Sequence, residues 1–172
     1  MIPRKALEEH NVSRETLIRI QKYINSLEVW NKKINLVSRH SISNVWSRHV
    51  EDSAQLWRYV SGTPISWVDL GSGAGFPGLV VAALAREKLP KLKVTLIDSD
   101  AKKCAFLYNA SKILKTDVKI IPERIEKLPS QKADILSSRA LAPIKTLLFY
   151  LETHGGVGCK GFFLKGEKIM DE

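Results

Sequence analysis

The chain has little cysteine and no long apolar run, and each shortage excludes something. Its two cysteines, Cys104 and Cys159, stand far apart and form no C-x-x-C pair, so neither a disulfide framework nor a metal site is expected. No apolar stretch approaches the roughly 18–20 residues that cross a bilayer. The opening Met1-Ile2-Pro3 runs into charged residues rather than the apolar segment of a signal peptide. Together these features point to the cytoplasm and away from any membrane. Internal repeats and low-complexity tracts are also missing.

What is present suits one globular unit. At 172 residues and 44% apolar composition the chain can bury one full core and is too short for two ordinary domains. Its formal net charge of +9 favours a polyanionic partner, although a solvated basic surface would carry the same surplus.

Two rhythms divide the chain. From Ser13, an N-cap residue, Leu17, Ile20, Ile24, Leu27 and Ile34 recur at helical spacing. A second helical pattern starts near Ser41 and carries Ile42, Val45, Val50, Leu56 and Val60, and Gly62-Thr63-Pro64 then breaks the chain. Beyond the break, strands are predicted over 65–70, 93–98, 118–121, 133–137 and 161–165. Helices are predicted between them over 78–87, 101–114 and 143–152. Such alternation implies right-handed crossovers and a parallel sheet covered on both faces. The expected architecture is α/β: an N-terminal helical cap, 1–62, packed on a Rossmann-like core, 63–172.

The most informative stretch is Asp69-Leu70-Gly71-Ser72-Gly73-Ala74-Gly75-Phe76-Pro77-Gly78, set between a predicted strand and a predicted helix. Glycines at alternate positions allow a tight turn and close approach of backbone to a ligand, and the following helix presents free N–H groups. A dinucleotide fingerprint would need a third glycine where Phe76 stands, and the Gly-Lys of a P-loop is absent. An acid two residues before G-x-G-x-G resembles instead the S-adenosylmethionine signature of Rossmann-like methyltransferases, with Asp69, Gly71 and Gly73 at the cofactor. The competing reading is an ordinary glycine-rich turn. Asp98 ends the next strand at the sheet's carboxyl edge, where its carboxylate can accept both ribose hydroxyls. It can also cap the helix from Ala101, a role for which Asp100 is better placed.

Taken in order, several motifs resemble one family. They are Trp30-Asn31-Lys32 with Asn35-Leu36, Arg48-His49-x-x-Asp52-Ser53, the glycine loop ending Phe76-Pro77-Gly78, and Leu96-Ile97-Asp98-Ser99. Arg124-Ile125-Glu126, Ser138-Arg139-Ala140 and Leu164-Lys165-Gly166 complete the set. The chain is similar, from about Leu17 to Lys165, to the glucose-inhibited division protein B family (RsmG), the 16S rRNA guanine-N7 methyltransferases. The resemblance implies S-adenosyl-L-methionine as cofactor, with contacts at Gly71, Phe76, Ile125, Glu126 and Arg139. It implies 16S ribosomal RNA, or a small-subunit precursor, as substrate and partner of a monomer.

Arg139 could hold the methionine carboxylate or an RNA phosphate, or lie in a surface ion pair; Lys165 carries the same ambiguity. Arg48 and Asp52 at i, i+4 can pair on one helix face. The family motif places Arg48, His49 and Lys165 toward RNA. Trp30, Trp46 and Trp57 could stack on bases, but at helical spacing large aromatics more often belong to a core. Guanine N7 has an in-plane lone pair and no proton, so its methylation needs positioning rather than a catalytic base. The sequence lacks the Asn-Pro-Pro-Tyr box of exocyclic-amine methyltransferases and the Pro-Cys of pyrimidine-C5 enzymes. Cys104 is expected in the core. Family members usually continue past the fifth strand through a further helix and two strands, whereas this chain stops at Glu172. The final strands of the fold are therefore expected to be missing and the fifth strand to be an exposed edge. The alternative implied is a shortened member that binds cofactor and RNA without efficient transfer.

Overall fold

Ser13 opens the longest helix by accepting the backbone N–H of Thr16 at 3.1 Å, as its sequence position predicts. This helix, α2 (Arg14–Asn31), follows the short α1 (Lys5–Glu9) in a computed structural model that describes residues 5–164. Ile20, Tyr23, Ile24 and Leu27 form its buried stripe, each burial stabilising by about 1.5–3 kcal/mol. The second helical pattern is not one helix. It divides into α3 (Arg39–Ile42), a π-helical turn (Trp46–Glu51), α4 (Asp52–Gln55) and a 3-10 turn (Leu56–Tyr59). Ser43 and Asn44 sit at the first break, where the Ser47 hydroxyl donates to the Asn44 carbonyl and competes with helical bonding.

The strands are β1 (Ser66–Leu70), β2 (Lys93–Ile97), β3 (Val118–Ile121), β4 (Ala133–Arg139) and β5 (Gly155–Leu164), all parallel in the order β3-β2-β1-β4-β5. Helices α5 (Gly78–Lys88), α6 (Ala101–Leu114) and α7 (Ile144–His154) make the crossovers. Side chains alternate along the strands as a pleat requires. Trp67, Leu96 and Ile135 join the core under α2, α5 and α6, while Val68, Ile97 and Leu136 join the core under α7. The sheet is thus covered on both faces, and β5 is its edge among the described residues.

The N-terminal helices share the first of these cores. Tyr23 and Trp30 pack on Phe106 of α6 with centroids 6.1 and 5.6 Å apart, and the Tyr23 hydroxyl donates to the Ala74 carbonyl in the glycine loop at 2.5 Å. Trp46 is buried, and Trp30 and Trp57 are partly buried against the core. Cys104 is buried, as expected. Strand order reverses between β1 and β4, and ligands of open α/β sheets collect at the carboxyl ends beside such a reversal.

Candidate cofactor cleft

At that edge the β1–α5 loop is folded by its own backbone. The Ser72 N–H donates to the Ile97 carbonyl and the Gly75 N–H to the Ser72 carbonyl. Gly71, Gly73 and Gly75 have φ of +64°, +54° and +93°, values that side chains rarely tolerate. At Gly71 space forbids a side chain as well, because a Cβ would lie 2.5 Å from Leu141 Cδ1. Asp98 binds the loop from the next strand. One carboxylate oxygen accepts the Gly73 N–H at 2.8 Å and the other the Asp100 N–H at 2.9 Å. Asp100 then caps α6 by accepting from Lys102 and Lys103.

Gly71, Gly73, Asp98, Ile125, Glu126 and Arg139 line one cleft of about 470 Å³, a volume typical of small-ligand sites. Glu126 leaves the 3-10 turn Ile125–Lys127 and accepts a hydrogen bond from the Tyr150 hydroxyl. That bond holds the Glu126 carboxyl below its ordinary range, and burial, aided by Glu126, pushes Tyr150 up to about 12. Arg139, at the end of β4, donates to the Arg48 carbonyl and to the Asp52 carboxylate, 3.3 Å away. The surface ion pair expected as its alternative role therefore exists, and the residue borders the cleft as well. Asp52 pairs with Arg139 rather than with Arg48, the partner that the i, i+4 spacing allows. The π turn bonds i to i+5 and shifts one side chain relative to the other.

Four of the predicted residues sit elsewhere among the described ones. Asp69 is fully buried. Its carboxylate accepts from the Ser137 hydroxyl at 2.6 Å and from the Gly78 N–H at 3.3 Å, while Ser137 accepts from the Trp67 indole. Burial pushes its carboxyl up to about 6 against these stabilising bonds. Asp69 shapes the loop from beneath and does not line the cleft. Phe76 is 4% exposed and packs between Tyr23 and His49, its ring stacked on the imidazole at 4.9 Å. His49 is 8% exposed, so the RNA contact expected of it does not fit its burial; the π turn points it inward. Arg48 is exposed and lends its carbonyl to Arg139. Lys165 lies outside the described residues. Sequence reasoning missed Leu141 and Tyr150 as cleft residues. No motif marks either one.

Neither ring nitrogen of His49 has a hydrogen-bond partner. Burial, and then the Arg139 and Arg48 cations, pull its pKa down from 6.5 to about 4. A histidine so depressed binds fewer protons folded than unfolded, so its contribution to stability is present above pH 6.5 and is lost as pH falls toward 4. The shift corresponds to about 3 kcal/mol. Asp69 acts oppositely, since its raised pKa makes stability fall as pH rises from 3.8 to about 6. Denaturant unfolding between pH 4 and 7 is expected to show His49→Phe gaining on the parent as pH falls. A constant difference between the two proteins would contradict this.

A family model described as rRNA small subunit methyltransferase G matches residues 16–172. The chain belongs to that family. A family protein of Ruegeria sp., named ribosomal RNA small subunit methyltransferase G, is 45% identical over 164 residues, covering 95% of this chain and 80% of the relative. A protein of the same name from Paramagnetospirillum magneticum is 41% identical over 172 residues, covering 100% and 82%. Among solved structures, coclaurine N-methyltransferase bound to N-methylheliamine and SAH aligns with a TM-score of 0.54 at 16% identity, over 88% of this chain and 53% of that one. At that identity the likeness shows the fold alone: an α/β methyltransferase fold.

Proposed function

We propose that this chain transfers a methyl group from S-adenosyl-L-methionine to guanine N7 in 16S ribosomal RNA, acting as a cytoplasmic monomer on free RNA or on a small-subunit precursor. The observation that carries the reading is the cleft itself. Among the described residues it places a carboxylate at the β2 edge, a carboxylate beyond β3 and a guanidinium beyond β4 around a glycine loop. These donors and acceptors fit the cofactor's parts. Asp98 would accept the ribose hydroxyls, Glu126 and Ile125 would flank the adenine, and Arg139 would face the methionine carboxylate. When bound, the cofactor supplies an electrophilic methyl group.

What remains for the protein is orientation. Gly71 and Gly73 let the backbone approach, Leu141 closes one wall, and Arg139 is steadied by Asp52 and the Arg48 carbonyl. Guanine N7 needs no proton removed, so no catalytic base is assigned, and holding the base in line in a water-poor cleft suffices. The helices from Lys5 to Tyr59 would serve as a cap on the sheet, tied to the glycine loop by Tyr23. No helix among the described residues is long and apolar enough to cross a membrane.

The test is to supply this gene to a bacterial strain lacking small-subunit guanine-N7 methylation and to map the modified base by chemical cleavage and reverse transcription. Restored methylation is expected. An unmodified guanine beside normally expressed protein would favour a chain that binds cofactor and RNA only.

A further inference from the structure

A second, larger hollow of about 830 Å³ lies between the end of α2 and α3, lined by Glu28, Lys32, Lys33, Asn35, Leu36 and neighbouring residues. Leu36 also lines the cofactor cleft, so the two spaces share a wall. The loop between them is shaped in advance. The Asn31 side chain accepts the N–H groups of Leu36 and Val37 at 2.9 and 3.0 Å and donates to the Val37 carbonyl at 3.1 Å. A loop held this way needs little ordering when something binds to it. Lys32, Lys33 and Asn35 are exposed on it, and neither lysine makes an ion pair with a described residue. The apolar side of the hollow is formed by Leu36, Val37 and Ile42.

We propose that this groove seats the single-stranded RNA flanking the target guanine, with Lys32 and Lys33 on backbone phosphates and the apolar wall against a base face. The assignment rests on reading the neighbouring cleft as the methyl-transfer site. Two lysines that make no ion pair with a described residue, set beside an apolar wall, outnumber the one carboxylate of the hollow, Glu28, and match the chemistry of a nucleotide: charged backbone and flat base. A volume of this size has room for one. A base presented to a pocket must leave its stack, so the flanking strand must be held unpaired where the groove meets the cleft. This meeting is at Leu36.

The test uses the whole chain, a fluorescein-labelled single-stranded RNA containing guanine, a duplex of the same sequence, and polyglutamate as competitor. The variant K32E/K33E is compared with K91E/K93E, an equal charge change at the opposite, amino-terminal edge of the sheet. For K32E/K33E, single-strand affinity is expected to fall at least about tenfold, and the salt slope to shallow by about 1.4, the share of two phosphate contacts. K91E/K93E should change both much less, and S-adenosylhomocysteine titration should be the same for all three proteins. Equal losses in both variants, an unchanged slope, or equal binding of duplex or polyglutamate would overturn the groove. If the parent chain fails to bind S-adenosylhomocysteine, the methyl-transfer reading fails, whatever the lysines do to RNA.

Discussion

Replacing Asp98 with alanine is expected to weaken S-adenosylmethionine binding about a hundredfold in isothermal titration. A hydrogen bond to a charged group contributes about 1.5–3 kcal/mol, and each 1.4 kcal/mol is a factor of ten; loss of a carboxylate serving a ribose diol therefore reaches about 3 kcal/mol. Part of the loss arises within the protein, because Asp98 also accepts the N–H groups of Gly73 and Asp100. Asp98→Asn separates the contributions. Its amide keeps the shape and one acceptor while removing the charge, so about a tenfold loss is expected; with the amide oxygen toward Gly73 the loop bond is kept, and the Asp100 N–H loses its acceptor. Parent-like affinity in Asp98→Ala would remove the ribose role.

Gly78→Val is expected to lower stability by about 3 kcal/mol or more, at the upper end for overpacking a buried site. Gly78 begins α5 and is buried against β2. A Cβ there would lie 2.4 Å from Leu96 Cδ2 and 2.8 Å from the Asp69 carboxylate, and valine adds two methyl groups beyond it. The substitution also presses on the acceptor of the Gly78 N–H, leaving polar groups beneath the loop poorly paired. For a chain of this size 1 kcal/mol is about 2–4 °C in Tm, so calorimetry should show a fall of roughly 10 °C. A Tm within about 2 °C of the parent would show that helix and sheet can part there without loss.

The fold was legible where local pattern and tertiary environment agree. Alternating strands and helices after residue 62 gave the sheet, and the glycine spacing together with an acid at the end of β2 gave the cleft's floor. Legibility ended where a residue's role depends on distant partners. An acid ahead of a glycine loop reads as a ligand group, yet Asp69 lies under the loop because Ser137, sixty-eight residues away, supplies its hydrogen bond. His49 reads as part of a polar motif, but a π turn, which leaves no periodic signature, turns it onto Phe76. Strand β5 begins at Gly155 rather than at 161. Its first six residues, Gly-Gly-Val-Gly-Cys-Lys, have little strand propensity of their own; only Gly155 and Lys160 pair with β4, and the four residues between them form an irregularity in the register. Tyr150 sits on an ordinary helix face, and only the packing of α7 brings its hydroxyl to Glu126.

The most direct measurement is a crystal of this chain soaked with S-adenosylhomocysteine. The account predicts density between the Gly71–Gly73 turn and Glu126, with the sugar hydroxyls on Asp98 and the amino-acid tail toward Arg139. Density at another face, a reversed nucleoside, or an empty cleft at saturating ligand would contradict it.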